Sequence, residues 1–133
     1  MSSNSFVQIV NEHGHTETVR YDVFVALLAK PMADLTADQL HAAVGISGEA
    51  GELLDAIKKR WVYNKPLDYE NVKEELGDLK FYIQLMMNVC GFTEQDVMQS
   101  NANKLASRYK GLTYSDSAAQ IRADKMEGSD GNT

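Results

Sequence analysis

The sequence predicts an all-α fold: an antiparallel helical bundle with four main helices, assembled as an oligomer. Apolar residues recur at spacings of three and four, as in Val72, Leu76, Leu79, Ile83 and Met86, which is the period of one helix face. Capping and stop residues bracket such segments at helical lengths. A short loop joins the two longest of them, which favours antiparallel neighbours.

Taken in order, the polar residues 1–5 are expected to be loose. Phe6–Val10 is a short apolar run, a strand or an extended arm, and one strand alone is weak evidence for a sheet. Residues 11–15 read as a turn. His13 and His15 in that turn, with no cysteine near, read as surface residues and not as metal ligands. Residues 21–30 are helical, with Phe24, Leu27 and Leu28 as the apolar side and Pro31 at the end. Thr36-Ala-Asp-Gln39 has the capping-box pattern, so Thr36 is expected to cap a long helix running to about Val62. Gly45, Gly48 and Gly51 lie inside it, each costing roughly 0.8–1 kcal/mol against alanine. Together they form a small-residue track that another helix, or a ligand, can approach closely. Their spacing is not the dinucleotide fingerprint, and no strand precedes them.

Asp68 is expected to cap the third helix, Glu70 to complement its N-terminal dipole, and Gly91 to stop it after Cys90. Thr93 caps a fourth helix that ends near Lys110-Gly111. A short fifth helix is expected within residues 114–126, through Ala118, Ile121 and Arg122. Residues 1–127 are read as a single domain and 128–133 as a disordered tail.

The 44% hydrophobic content supports a small packed core. A formal charge of −6 argues against general binding to nucleic acid or anionic membranes, though not against a small phosphorylated ligand. One cysteine, Cys90, excludes an intramolecular disulfide and reads as an inert thiol on an apolar helix. Without a signal peptide or an apolar run of spanning length, a cytoplasmic location is expected.

Two acidic motifs carry the chemistry. Glu49-Ala50-Gly51-Glu52 and Glu75-Leu76-Gly77-Asp78 each set two carboxylates three residues apart, about 60° apart on a helix. His41, Gly45, Glu49 and Glu52 share one edge of the stripe Ile46, Ala50, Leu53 and Ile57. Glu75, Asp78 and Tyr82 share one edge of the stripe on the third helix. Both acid pairs therefore border a core face. Facing pairs of like charge are unfavourable unless compensated, and a hard divalent cation such as Mg²⁺ prefers oxygen ligands of this kind.

This arrangement resembles the MazG family of all-α nucleoside triphosphate pyrophosphohydrolases. The resemblance runs from about Leu40 to Tyr109 through Gly45-Ile-Ser-Gly-Glu-Ala-Gly-Glu-Leu53, Glu74-Glu-Leu-Gly-Asp78 and Lys104-Leu-Ala-Ser-Arg-Tyr109. It implies that Glu49, Glu52, Glu75 and Asp78 hold Mg²⁺, with Mn²⁺ as an alternative. It also implies cleavage of a nucleoside triphosphate between the α- and β-phosphates, giving the monophosphate and pyrophosphate. A carboxylate not used in coordination can accept the proton of the attacking water, with Glu49 and Glu52 both candidates. Asn101, Lys104 and Arg108 lie within about 60° of one another on the fourth helix and are candidates for holding phosphates. Tyr82 is a candidate for stacking on the base. His41 reads equally as a substrate contact or a structural histidine. Lys59 reads as a phosphate contact or, more simply, as the salt-bridge partner of Asp55. Trp61 reads as core, interface or stacking platform.

Leu53, Leu54, Ile57 and Trp61 spread over about 100° of the second helix, and Leu85, Met86, Met87 and Val89 extend round the third. A helix apolar on more than one stripe is buried on more than one side, so a homo-oligomer, dimer or tetramer, is expected. The competing reading is a non-catalytic helical interaction protein whose acidic groove binds a basic partner. A dinuclear-iron carboxylate bundle is set aside because no E-x-x-H occurs on the expected helices, the one at Glu12 to His15 falling in the turn.

Overall fold

The computed structural model describes residues 5–122 and 125, so the tail expected at 128–133 lies outside the described residues. The chain forms two compact units, Met1–Thr93 and Glu94–Thr133.

The first unit opens with a feature only half anticipated. Strand β1 (Phe6–Val10) pairs antiparallel with β2 (Thr16–Arg20), Val7 opposite Val19 and Ile9 opposite Glu17. The Asn11 side-chain oxygen accepts from the backbone N–H groups of His13 and His15, at 3.0 and 2.9 Å, and Gly14 supplies the left-handed residue at φ 79°. This turn brings in β2, whose sequence carries one half-buried apolar residue, Val19, and no strand pattern of its own.

Helix α1 (Tyr21–Leu28) leaves β2 directly. It stops two residues short of the expected end because Ala29 is already extended, as the approach to Pro31 requires. Helix α2 (Leu35–Tyr63) is capped by Asp34, not by Thr36: the Asp34 carboxylate accepts from the Ala37 N–H at 2.8 Å. Aspartate is at least as good a cap as threonine, and here it sits in the extended conformation a cap needs. Helix α3 (Tyr69–Cys90) begins and ends as expected. Asp68 accepts from the Asn71 N–H at 3.0 Å, and Gly91 closes the helix at φ 73°.

The core is Val25 of α1, Ala42 of α2 and Leu85 of α3, wrapped by Tyr21, Phe24, Phe81, Tyr82, Met86 and Val89. The expected α3 stripe is displaced: Leu76 and Ile83 are 45% and 39% exposed, whereas Gln84, Leu85 and Met87 are buried. The cause is α1, which packs on the Leu85 side. A polar clamp ties it there: the Gln84 amide donates to Asn88 Oδ1 and Asn88 Nδ2 donates to the Asp22 carbonyl, both at 2.9 Å.

The second unit contains α4 (Glu94–Arg108), a 3₁₀ turn at Lys110–Leu112 and α5 (Asp116–Ile121). Gly111 reverses the chain at φ 72°. The Ser115 hydroxyl caps α5 by accepting from the Ala118 N–H at 3.1 Å, and Arg122, expected within that helix, is its left-handed C-terminal residue. Among the described residues, no helix is long and apolar enough to cross a membrane.

Candidate functional site

The α2–α3 seam builds the site. Ala42 meets Leu85 in the core, and one turn further along α2 the ring of Tyr82 lies directly against Gly45. Each step along α2 is matched by an equal step back along α3. The next turns therefore bring Glu49 opposite Asp78 and Glu52 opposite Glu75. Carboxylate oxygens of Glu49, Glu75 and Asp78 lie within 4.8 Å of one another, with Glu49 and Glu75 half-buried and Asp78 exposed. Glu52 is outside this trio, yet its charge is the strongest of those acting on Glu75.

Partial loss of hydration, then the charges of Glu52, Glu49, Asp78 and Glu74, push the Glu75 carboxyl above the ordinary glutamate range. With its folded value raised, Glu75 contributes stability that is present below the unfolded glutamate value, about 4.3, and is lost as pH rises through the folded one. Asp22, held low by its hydrogen bonds to Arg20, acts in the opposite direction. Comparison with Glu75→Gln isolates the site. In metal-free protein, wild type loses melting temperature relative to Glu75→Gln as pH rises from about 4 to 7. Equal pH slopes for the two proteins would show that the acids do not strain one another.

The donor set fits a hard divalent cation: three oxygens from two antiparallel helices, all carboxylate, with no competing cation paired to them among the described residues. The glycine track divides into two parts. Gly45 is filled by Tyr82, while a side chain at Gly48 or Gly51 would meet nothing within 4 Å.

Of the other candidates, His41 and Tyr82 are brought together, ring centroids 5.9 Å apart and edge-to-face, with Phe81 on Tyr82 at 5.3 Å. Lys59 is engaged with Asp55 at 3.3 Å, the simpler of its two readings. Asn101, Lys104 and Arg108 lie on α4 in the second unit, where the Arg108 guanidinium sits 5.9 Å from the Tyr109 ring centroid. Tyr21 was not anticipated. Burial, followed by the charge of Asp78, raises its phenol above the ordinary range, so the start of α1 borders the acid cluster. Nothing in the sequence pattern marks it, because its position depends on α1 docking against α3.

No curated protein and no solved structure matches the chain. The MazG nucleotide pyrophosphohydrolase domain matches residues 38–113, more than half of the chain, taking in both acid motifs and all of α4. With the paired acids and their seam, that match makes the chain a member of the MazG nucleotide pyrophosphohydrolase family.

Proposed function

We propose that the protein hydrolyses nucleoside or deoxynucleoside triphosphates to the monophosphate and pyrophosphate in a Mg²⁺-dependent reaction, cleansing or regulating the nucleotide pool of the cytoplasm. The observation that carries this reading is the trio Glu49, Glu75 and Asp78, three carboxylates within 4.8 Å in a MazG-family chain. These residues would hold the ion, and Mn²⁺ suits the same oxygen donors. When bound, the metal supplies positive charge against the phosphates and acidifies water.

Glu52, beside the trio but outside it, is the carboxylate left to accept the water's proton, with Glu49 a ligand. Lys104, Arg108 and Asn101 are assigned to the phosphates on their shared face of α4, and Tyr82 and His41 to the nucleoside. Lys59, occupied by Asp55, has the weakest claim to a substrate contact. The family match crosses the boundary between the two units, which supports treating them as one catalytic domain. Exposed Leu54 (68%) and Trp61 (86%) on α2 support a homo-oligomer, dimer or tetramer.

The test is incubation with Mg²⁺ and a panel of triphosphates. The monophosphate and pyrophosphate are expected together, in one step and in equal amounts. Diphosphate and orthophosphate as first products would assign a different phosphohydrolase chemistry. No turnover with any triphosphate would favour the non-catalytic reading.

A further inference from the structure

A two-stranded sheet has two open edges, and those of this hairpin differ in kind. The edge of β2 is Thr-Glu-Thr-Val-Arg, with a charge near each end, the usual protection against unwanted pairing. The edge of β1 is Phe-Val-Gln-Ile-Val, with no charge, no proline and no bulge. The hydrogen-bond phase of the hairpin fixes which groups of β1 face outward. Tyr21 N–H donates to the Ser5 carbonyl, and Asn11 N–H to the His15 carbonyl. Residues 5 and 11 therefore belong to inward-bonded pairs, and so do 7 and 9. The N–H and C=O groups of Phe6, Gln8 and Val10 point away from β2, and among the described residues they have no hydrogen-bond partner. The side chains of these same residues are exposed, Phe6 at 61% and Val10 at 70%.

We infer that the outer edge of β1 is an interface with β1 of a second copy, the two strands pairing antiparallel about Gln8 to make a four-stranded sheet. The strand is complementary to itself about that centre. Phe6 falls opposite Val10 of the other copy, and Gln8 opposite Gln8 of the other copy. These are the outward-facing residues, so every open donor and acceptor of one strand meets its counterpart on the other. On the opposite face Val7 falls opposite Ile9 of the other copy. No like charges are opposed, which matters for a chain of net charge −6 that repels its own copies elsewhere. The inference rests on the oligomer of the proposed function but not on its chemistry, and it uses a surface separate from the Leu54–Trp61 face of α2.

Sedimentation equilibrium at micromolar concentration, with circular dichroism as a check of folding, tests the pairing. Gln8→Lys sets two ammonium groups opposite each other across the two-fold, and Gln8→Glu two carboxylates. Each variant alone is expected to halve the wild-type mass, and an equal mixture of the two to restore it. Triphosphate hydrolysis measured in parallel separates failure of this pairing from failure of the catalytic reading. Amide hydrogen exchange on the wild type gives a second readout that needs no variant. The Phe6, Gln8 and Val10 amides are expected to be protected in the oligomer and to lose protection on dilution. A wild-type mass of 14.8 kDa would overturn the inference. So would variants of unchanged mass, or exchange at these three amides that ignores dilution.

Discussion

Replacing any one of Glu49, Glu75 or Asp78 by its amide is expected to lower Mg²⁺-dependent turnover by at least about 100-fold, with the helical fold intact. Each substitution keeps the shape of the side chain and removes one charged oxygen from a trio that spans less than 5 Å, so little but the metal site changes. Thermal unfolding separates loss of the metal from loss of chemistry. Mg²⁺ at 100 times its dissociation constant stabilises the wild type by about 2.7 kcal/mol, a rise on the order of 10 °C for a chain of this size. The three variants lose that rise. Glu52→Gln, by contrast, is expected to lose turnover and keep the Mg²⁺-induced rise, because a proton acceptor is not needed to hold the ion. Near wild-type rates in two of the three trio variants would remove the metal-site reading. A Glu52→Gln protein that also loses the rise would make Glu52 a ligand.

What the sequence made legible follows from which features are local. The acid pairs were readable because a three-residue spacing on a helix fixes their relative direction, and the short loop after α2 makes the two helices antiparallel. Asp68 and Gly91 were readable for the same reason: a cap is decided within four residues. Two caps within reach of one helix start were not separable, and Asp34 won over Thr36. Strand β2 was hidden because its pattern is set by its partner across the Asn11 turn. The displaced α3 face and the position of Tyr21 share one non-local cause. Both depend on where α1 docks, with Val25 in the core beside Leu85 and Asn88 reaching across to the Asp22 carbonyl. Of the Gly45, Gly48 and Gly51 track, the sequence could say that something approaches closely, but not that Tyr82 of the same chain fills its first position alone.

That first position makes Gly45→Ala the substitution outside the acids with the largest expected effect. An added Cβ would overlap the root and one edge of the Tyr82 ring, and those atoms cannot swing clear without moving the side chain from its base. The ring is also hemmed by Phe81 and His41 at centroid distances of 5.3 and 5.9 Å. The remaining response is for α2 and α3 to part. Overpacking of this kind costs typically 1–3 kcal/mol, and alanine's better helix propensity recovers at most about 1 kcal/mol. A net loss of about 2 kcal/mol is expected, read as a fall in denaturant midpoint with unchanged slope. Turnover should fall further than stability alone implies. The acids stand one turn above this contact, and a displacement of about 1 Å in a catalytic constellation can cost 100-fold. Gly48→Ala is the control: its Cβ meets nothing within 4 Å, so it should gain up to about 1 kcal/mol from propensity. In a Tyr82→Ala background, which has no ring for the added Cβ to overlap, the same Gly45→Ala change should cost no stability. If Gly45→Ala unfolds at or above the wild-type midpoint, the close approach of Tyr82 to α2 is not what sets the spacing of the acid-bearing helices.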